Sequence, residues 1–176
     1  MKKLLTITLS LIISCSFAQW ELYNPTPTDA NLTDIFFIDD YNGWAVGEYG
    51  TILFTSDGGL NWQLKYSISG PMESTFSAVY FTDLLNGWAV GSTYIPYGGA
   101  WSSLLYHTDD GGNSWVSQYS NPAESFSDVW FVNADTGWVA GSESHDGDGI
   151  ILYTEDGGMN WEEQYRKDNK YFNSLC

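Results

Sequence analysis

Positive charge is scarce in this 176-residue chain: six Lys and Arg stand against 22 Asp and Glu, a formal net charge of −16. No Lys or Arg occurs between Lys65 and Arg166. Nucleic acids and anionic membrane surfaces are held by basic side chains that displace counterions from phosphates, so neither is expected as a partner. Cysteine is equally sparse, with only Cys15 and Cys176. If Cys15 leaves with a leader, no intrachain disulfide or two-cysteine metal site can form, and burial alone must hold the fold. The two histidines, His107 and His145, have no nucleophile or second histidine at a suggestive spacing. Sustained helical periodicity is missing, as is any apolar run long enough to span a bilayer. Aromatics, by contrast, make up 17% of the chain and include 9 Trp, which excludes disorder despite the charge.

The N-terminus reads as an export signal. Met1-Lys2-Lys3 is basic, Leu4 to Ile13 is almost uninterruptedly apolar, and Ser16-Phe17-Ala18 puts small residues at the −3 and −1 positions. Residues 1–18 are therefore expected to be cleaved after Ala18. The alternative is lipoprotein processing, because Ile12-Ile13-Ser14-Cys15 resembles a lipobox that would leave an acylated Cys15 first. Either route places the protein outside the cytoplasm: secreted, periplasmic or on the cell surface. Removing Lys2 and Lys3 leaves only Lys65, Arg166, Lys167 and Lys170 as cations.

The remainder is self-similar. Leu32–Phe37, Phe76–Phe81 and Phe126–Phe131 are one segment written three times. Each leads into a Gly-Trp element, Gly43-Trp44-Ala45-Val46-Gly47, Gly87-Trp88-Ala89-Val90-Gly91 or Gly137-Trp138-Val139-Ala140-Gly141. Each then reaches a turn, at Thr55–Trp62, Thr108–Trp115 and Thr154–Trp161. The Gly-Trp elements lie 44 and 50 residues apart and the turns 53 and 46, as one unit with loop insertions would give.

Every unit holds four short β-favouring runs, in the first about 34–38, 44–46, 51–55 and 62–66. Four-stranded units repeating every ~45 residues predict an all-β fold, a β-propeller with blades at about 32–66, 76–119 and 126–165. Trp20–Tyr23 resembles the strand after each turn and is expected to complete a last blade at 20–23. Phe172–Cys176 matches Phe126–Trp130 and is expected to open a fourth. A closed ring needs at least four blades, so the expectation is a partial propeller: a piece of a longer protein, or a subunit that closes by assembly.

The turn sequence Thr-x-Asp-Gly-Gly-x-Asn/Ser-Trp occurs three times, through Thr55, Asp57, Gly59 and Trp62, through Thr108, Asp110, Gly112 and Trp115, and through Thr154, Asp156, Gly158 and Trp161. It closely resembles the Asp-box (BNR) repeat of sialidase-type propellers. Together with the Gly-Trp element, the chain looks most like the photosystem II assembly and stability factor family and its bacterial relatives. That resemblance implies turns joining third and fourth strands at the outer rim. An Asp there can accept the turn's N–H groups, so a structural role is expected for these acids and a catalytic one is not.

Residues for catalysis or metal binding are few. Sialidases clamp the substrate carboxylate with three arginines, and this chain has only Arg166. Xyloglucan-cleaving propellers need carboxylates facing across a cleft between two complete rings, more than this length supplies. In the insert Ser142–Gly149, the acids Asp146 and Asp148 with Glu155 have calcium-loop spacing, but the first ligand is Ser144 and a flexible Gly-Asp loop is the expected reading. No cofactor is expected. The insert Ser92–Trp101 is aromatic, and Tyr94, Tyr97 and Trp101 on a variable loop could stack on a sugar or grip a peptide, or equally pack the loop on itself. The expected function is a non-catalytic binding or assembly module with a protein or glycan partner; a fragment of a propeller glycoside hydrolase is the alternative.

Overall fold

The apolar and aromatic residues of each unit come in short runs bounded by Gly, Asn and Asp, and such runs are stable only as strands packed on other strands. The computed structural model describes residues 27–68, 73–96, 99–122, 124–143 and 147–175. Residues 1–18 and the strand expected at 20–23 lie outside them. Strands β1 (Leu32–Phe37), β2 (Gly43–Gly47), β3 (Ile52–Thr55) and β4 (Gln63–Tyr66) form the first antiparallel sheet in sequence order. β5 (Ser74–Phe81), β6 (Gly87–Ile95), β7 (Ala100–Thr108) and β8 (Val116–Tyr119) form the second. β9 (Glu124–Phe131), β10 (Gly137–Glu143), β11 (Gly149–Thr154) and β12 (Glu162–Lys167) form the third. The fold is all-β, and these sheets are blades of a partial β-propeller.

The Gly-Trp element has a steric logic that repeats in every sheet. Phe81 ends β5 directly opposite Gly87, and a Cβ on Gly87 would sit 2.4 Å from the Phe81 ring. Gly43 faces Phe37 and Gly137 faces Phe131 in the same way. At the other end of the element, a Cβ on Gly91 would come 2.0 Å from the Thr75 carbonyl oxygen, beside the bulge between Phe76 and Ala78.

The core lies between the sheets. Trp44 and Trp88 are fully buried, each stacked on an aromatic ring of the next sheet. Trp44 lies 3.6 Å from Phe81 at 11°, and Trp88 lies 3.6 Å from Phe131 at 13°. Their indole N–H groups reach further, donating to the carbonyls of Gly111 and Gly157, both at 3.2 Å. Burying one such ring contributes on the order of 2–3 kcal/mol. Trp138, in the third sheet, is only half-buried, and its N–H donates instead to Gln164 in its own sheet at 2.9 Å.

A second link runs along the first strands. The Thr33 hydroxyl donates to the Phe76 carbonyl, and Asp34 accepts the Val79 N–H at 2.9 Å. Ser127 and Asp128 repeat both bonds on Phe172 and Leu175, the latter at 2.6 Å. Residues 172–175 are not paired as a strand, yet they sit on the third sheet where 76–79 sit on the first.

Candidate functional site

The blades have two chemically different ends. At one end the turns between third and fourth strands meet those between first and second strands. The N–H groups of Gly58, Gly111 and Gly157 donate to Tyr41, Leu85 and Asp135 carbonyls at 2.9, 2.9 and 2.8 Å. At the other end lie the connections between second and third strands and those from one blade to the next.

The acids of the first end are bound into their own turns. Thr108 Oγ1 donates to Asp110 Oδ1 at 2.8 Å and accepts the Gly112 N–H at 2.9 Å. Asp110 Oδ1 also accepts the Ser114 N–H at 2.8 Å, while Oδ2 takes the Ser114 hydroxyl at 2.7 Å. The same net joins Thr55, Asp57, Gly59 and Asn61, and again Thr154, Asp156, Gly158 and Asn160. Gly111 and Gly112 have φ of 74° and 91°, angles that a side chain rarely adopts. The bonds from Ser114 hold the Asp110 carboxyl below its usual range, and those from Asn61 and Asn160 do the same for Asp57 and Asp156. A carboxylate held ionised this way is unsuited to donating a proton near neutral pH.

The tryptophans that close these turns stand edge-on to the phenylalanine that ends the first strand of their own sheet. Trp115 meets Phe81 at 6.0 Å and 88°, Trp161 meets Phe131 at 6.0 Å and 89°, and Trp62 meets Phe37 at 6.0 Å and 82°. Trp115 is buried, whereas Trp62 and Trp161 are half-buried.

At the second end the insert expected as a loop is largely strand. β6 runs to Ile95 and β7 starts at Ala100, so Ser92–Ile95 pair with Ala100–Ser103 and extend the hairpin outward. The run Ser-Thr-Tyr-Ile favours β structure, and pairing satisfies backbone groups that a loop would leave to water. Tyr94 and Trp101 are cross-strand partners, with ring centroids 5.4 Å apart and planes at 57°. Tyr97 lies outside the described residues.

Trp101 lines a pocket of about 330 Å³ with Glu48, Tyr49, Glu73, Ser74 and Thr75. The pocket spans the first two sheets, where Glu48 bridges Thr75 and the Gly50 N–H donates to the Ser74 carbonyl at 3.0 Å. Sequence reading missed Glu48, Tyr49 and Glu73. The signal was available: Glu48-Tyr49-Gly50 is the connection at which the other two units carry their inserts.

A buried carboxylate sits at the same end, between the second and third sheets. Glu124 accepts from the Tyr119 hydroxyl at 3.0 Å and from Asn121 Nδ2 at 2.9 Å. Burial pushes its pKa up, against those bonds and the nearby Arg166. Arg166 pairs with Glu143 at 2.5 Å and Glu163 at 2.8 Å.

Of the calcium-loop positions, Asp146 lies outside the described residues. Asp148 Oδ1 accepts the Asn169 N–H at 3.0 Å, and its carbonyl accepts from Glu143 at 2.8 Å. Glu155 lines a shallow polar hollow at the opposite end with Asp156, Asn160 and Glu162. Among the described residues no group of three or more His, Cys, Asp and Glu is placed to hold a metal ion. His107 is packed against Trp88 at 4.8 Å, and burial lowers its pKa.

The comparisons with known proteins agree with this architecture. The family model for photosynthesis system II assembly factor YCF48 matches residues 13–122. The photosystem II assembly lipoprotein Ycf48 of Trichormus variabilis is 43% identical over 65 residues, which is 34% of this chain and 19% of that relative. A solved structure of YCF48 bound to D1 peptide matches with TM-score 0.65 and 28% identity, over 86% of this chain and 47% of that one. YCF48 from Cyanidioschyzon merolae matches with TM-score 0.59 and 26% identity, over 82% and 40% of the two chains. The chain thus spans less than half the length of these solved relatives, and its match covers about a fifth of the curated one. On the strength of the family match, this chain belongs to the photosynthesis system II assembly factor YCF48 family.

Proposed function

We propose that this chain is part of an exported, non-catalytic assembly module that holds a segment of another protein on its propeller. The observation that carries the reading is the solved relative bound to D1 peptide, at 28% identity across most of this chain. The D1 peptide itself belongs to that relative, and the partner here is proposed only as a polypeptide. Glycan binding and glycoside cleavage are the competing outcomes. The Asp-box acids support a structural role, since Asp57, Asp110 and Asp156 are each saturated by their own turn. In this reading Tyr94, Tyr97 and Trp101 belong to the binding end. Blades at 32–66, 76–119 and 126–165, with 20–23 completing a last blade and 172–176 opening another, complete the proposed organisation.

Export is part of the proposal. Three curated relatives carry the name lipoprotein, in keeping with acylation at Cys15 as the alternative to cleavage after Ala18. The mass of the mature N-terminus separates the two.

The function is tested on the full-length gene product with arrays of peptides tiled from the exported and membrane proteins of its host, beside a glycan array and a glycosidase screen. Capture of discrete peptides with no sugar turnover is expected. Glycoside hydrolysis, or glycan capture without peptide capture, would overturn the reading.

A further inference from the structure

We infer that the pocket between the first two blades binds a lysine or arginine side chain of the partner polypeptide. This deepens the assembly-module reading and rests on it. The walls carry the argument. Two acids, Glu48 and Glu73, and two aromatic residues, Tyr49 and Trp101, line one open hollow of about 330 Å³. Tyr49 is 61% exposed and Trp101 40%, so both rings are open to a ligand. A cation is the ligand class that gains from both kinds of wall, through Coulomb attraction to the acids and through the negative faces of the rings.

Each wall is held in place from behind. Tyr49 has φ of 57°, unusual for a tyrosine, and its carbonyl accepts the Ile68 N–H at 3.0 Å. Trp101 is braced by Tyr94 across the hairpin, 5.4 Å between rings. Glu48 Oε2 accepts Asn31 Nδ2 at 2.9 Å, which steadies the carboxylate without neutralising it. The Glu73 backbone is fixed by its carbonyl, which accepts the Tyr94 N–H at 2.9 Å. A hollow whose backbone is held in this way loses less freedom when a ligand enters.

Two of the chain's cations are engaged elsewhere. Lys65 Nζ donates to Asn113 at 3.0 Å at the Asp-box end and lies 5.4 Å from the centre of the Phe54 ring. Arg166 is bound by Glu143 and Glu163. Among the described residues, none that lines the pocket carries positive charge. With 22 acids against six basic residues in the chain, a cationic partner is also drawn toward the surface as a whole.

The probes are the pentapeptide Ac-Gly-Gly-Lys-Gly-Gly-amide, its arginine and norleucine counterparts, and tetramethylammonium chloride. Each is titrated into the ¹⁵N-labelled chain, following the Trp101 indole signal assigned with Trp101→Phe. The lysine and arginine peptides are expected to bind about tenfold more tightly than the norleucine peptide. Glu48→Gln and Glu73→Gln should each weaken them about three- to tenfold, and Trp101→Ala similarly when read on backbone signals. Glu162→Gln, at the opposite end, should change nothing. Equal binding of the norleucine peptide, or a cation preference that survives Glu48→Gln with Glu73→Gln, would overturn the assignment. Tetramethylammonium binding as tightly as the peptides would overturn the peptide source. Array peptides captured without bias toward lysine or arginine would sink this pocket alone, whereas capture of no peptide would sink the assembly-module reading as well.

Discussion

Trp88 lies flat against Phe131, ring centroids 3.6 Å apart and planes 13° from parallel, although 43 residues separate them in the chain. The pair joins the second sheet to the third, and Trp44 with Phe81 makes the same joint one step earlier. Phe131→Ala would empty the socket and cost about 3–5 kcal/mol. Trp138→Leu, in the half-buried ring that bonds its own sheet, should cost distinctly less. Chemical denaturation of the two variants checks the order, and equal losses would show that the joint is not the main source of cohesion.

The two glycines of the Gly-Trp element should respond unequally to a methyl group. At Gly87 the added carbon meets the Phe81 ring at 2.4 Å, and a side chain can move. At Gly91 it meets the Thr75 backbone oxygen at 2.0 Å, where only the strand itself can yield. Gly91→Ala is therefore expected to reduce soluble yield and melting temperature more than Gly87→Ala. The reverse order in a thermal melt would refute the bulge argument.

Asp110→Ala removes the acceptor for Ser114 and Thr108 while leaving the opposite end untouched. A melting temperature lower by about 2–4 °C is expected, as for roughly 1 kcal/mol in a domain of this size, with peptide capture retained. Capture lost at unchanged melting temperature would assign the acid a functional role instead.

Acid should act with two opposite signs. The pKa values of Asp57, Asp110 and Asp156 are depressed, so their contribution is present above the unfolded value of 3.8 and lost as pH falls through the lower folded values. Glu124 is raised, so its contribution is fullest below the unfolded value of 4.5 and is lost as pH rises through the folded value. Glu124→Gln should therefore gain stability relative to the parent near pH 7, with the gain shrinking as pH falls toward 4. A difference between the two proteins that is flat with pH would contradict the buried-carboxylate account.

Most of the fold was legible because its determinants are local or periodic. The Asp-box net closes within four residues of the chain, and Thr-x-Asp-Gly-Gly specifies its donors, acceptor and backbone angles without help from elsewhere. The repeat of Gly-Trp elements announced sheets of one kind stacked side by side. The insert Ser92–Trp101 was less transparent. As a variable-length insert it reads as loop, and its strand character depends on Ser92–Ile95 finding Ala100–Ser103 across the hairpin.

By itself the sequence determined the acidity, the strand count of each unit, the turn chemistry and the family. Only the tertiary structure decided that Glu48 and Tyr49 of one blade share a cavity with Glu73 and Trp101 of the next. It also decided that one Gly-Trp indole bonds Gln164 while two others bond glycine carbonyls of the following sheet. The reason is physical: hydrogen bonds inside a turn are fixed by bond geometry over a few residues, whereas a contact between blades depends on how whole sheets twist and pack.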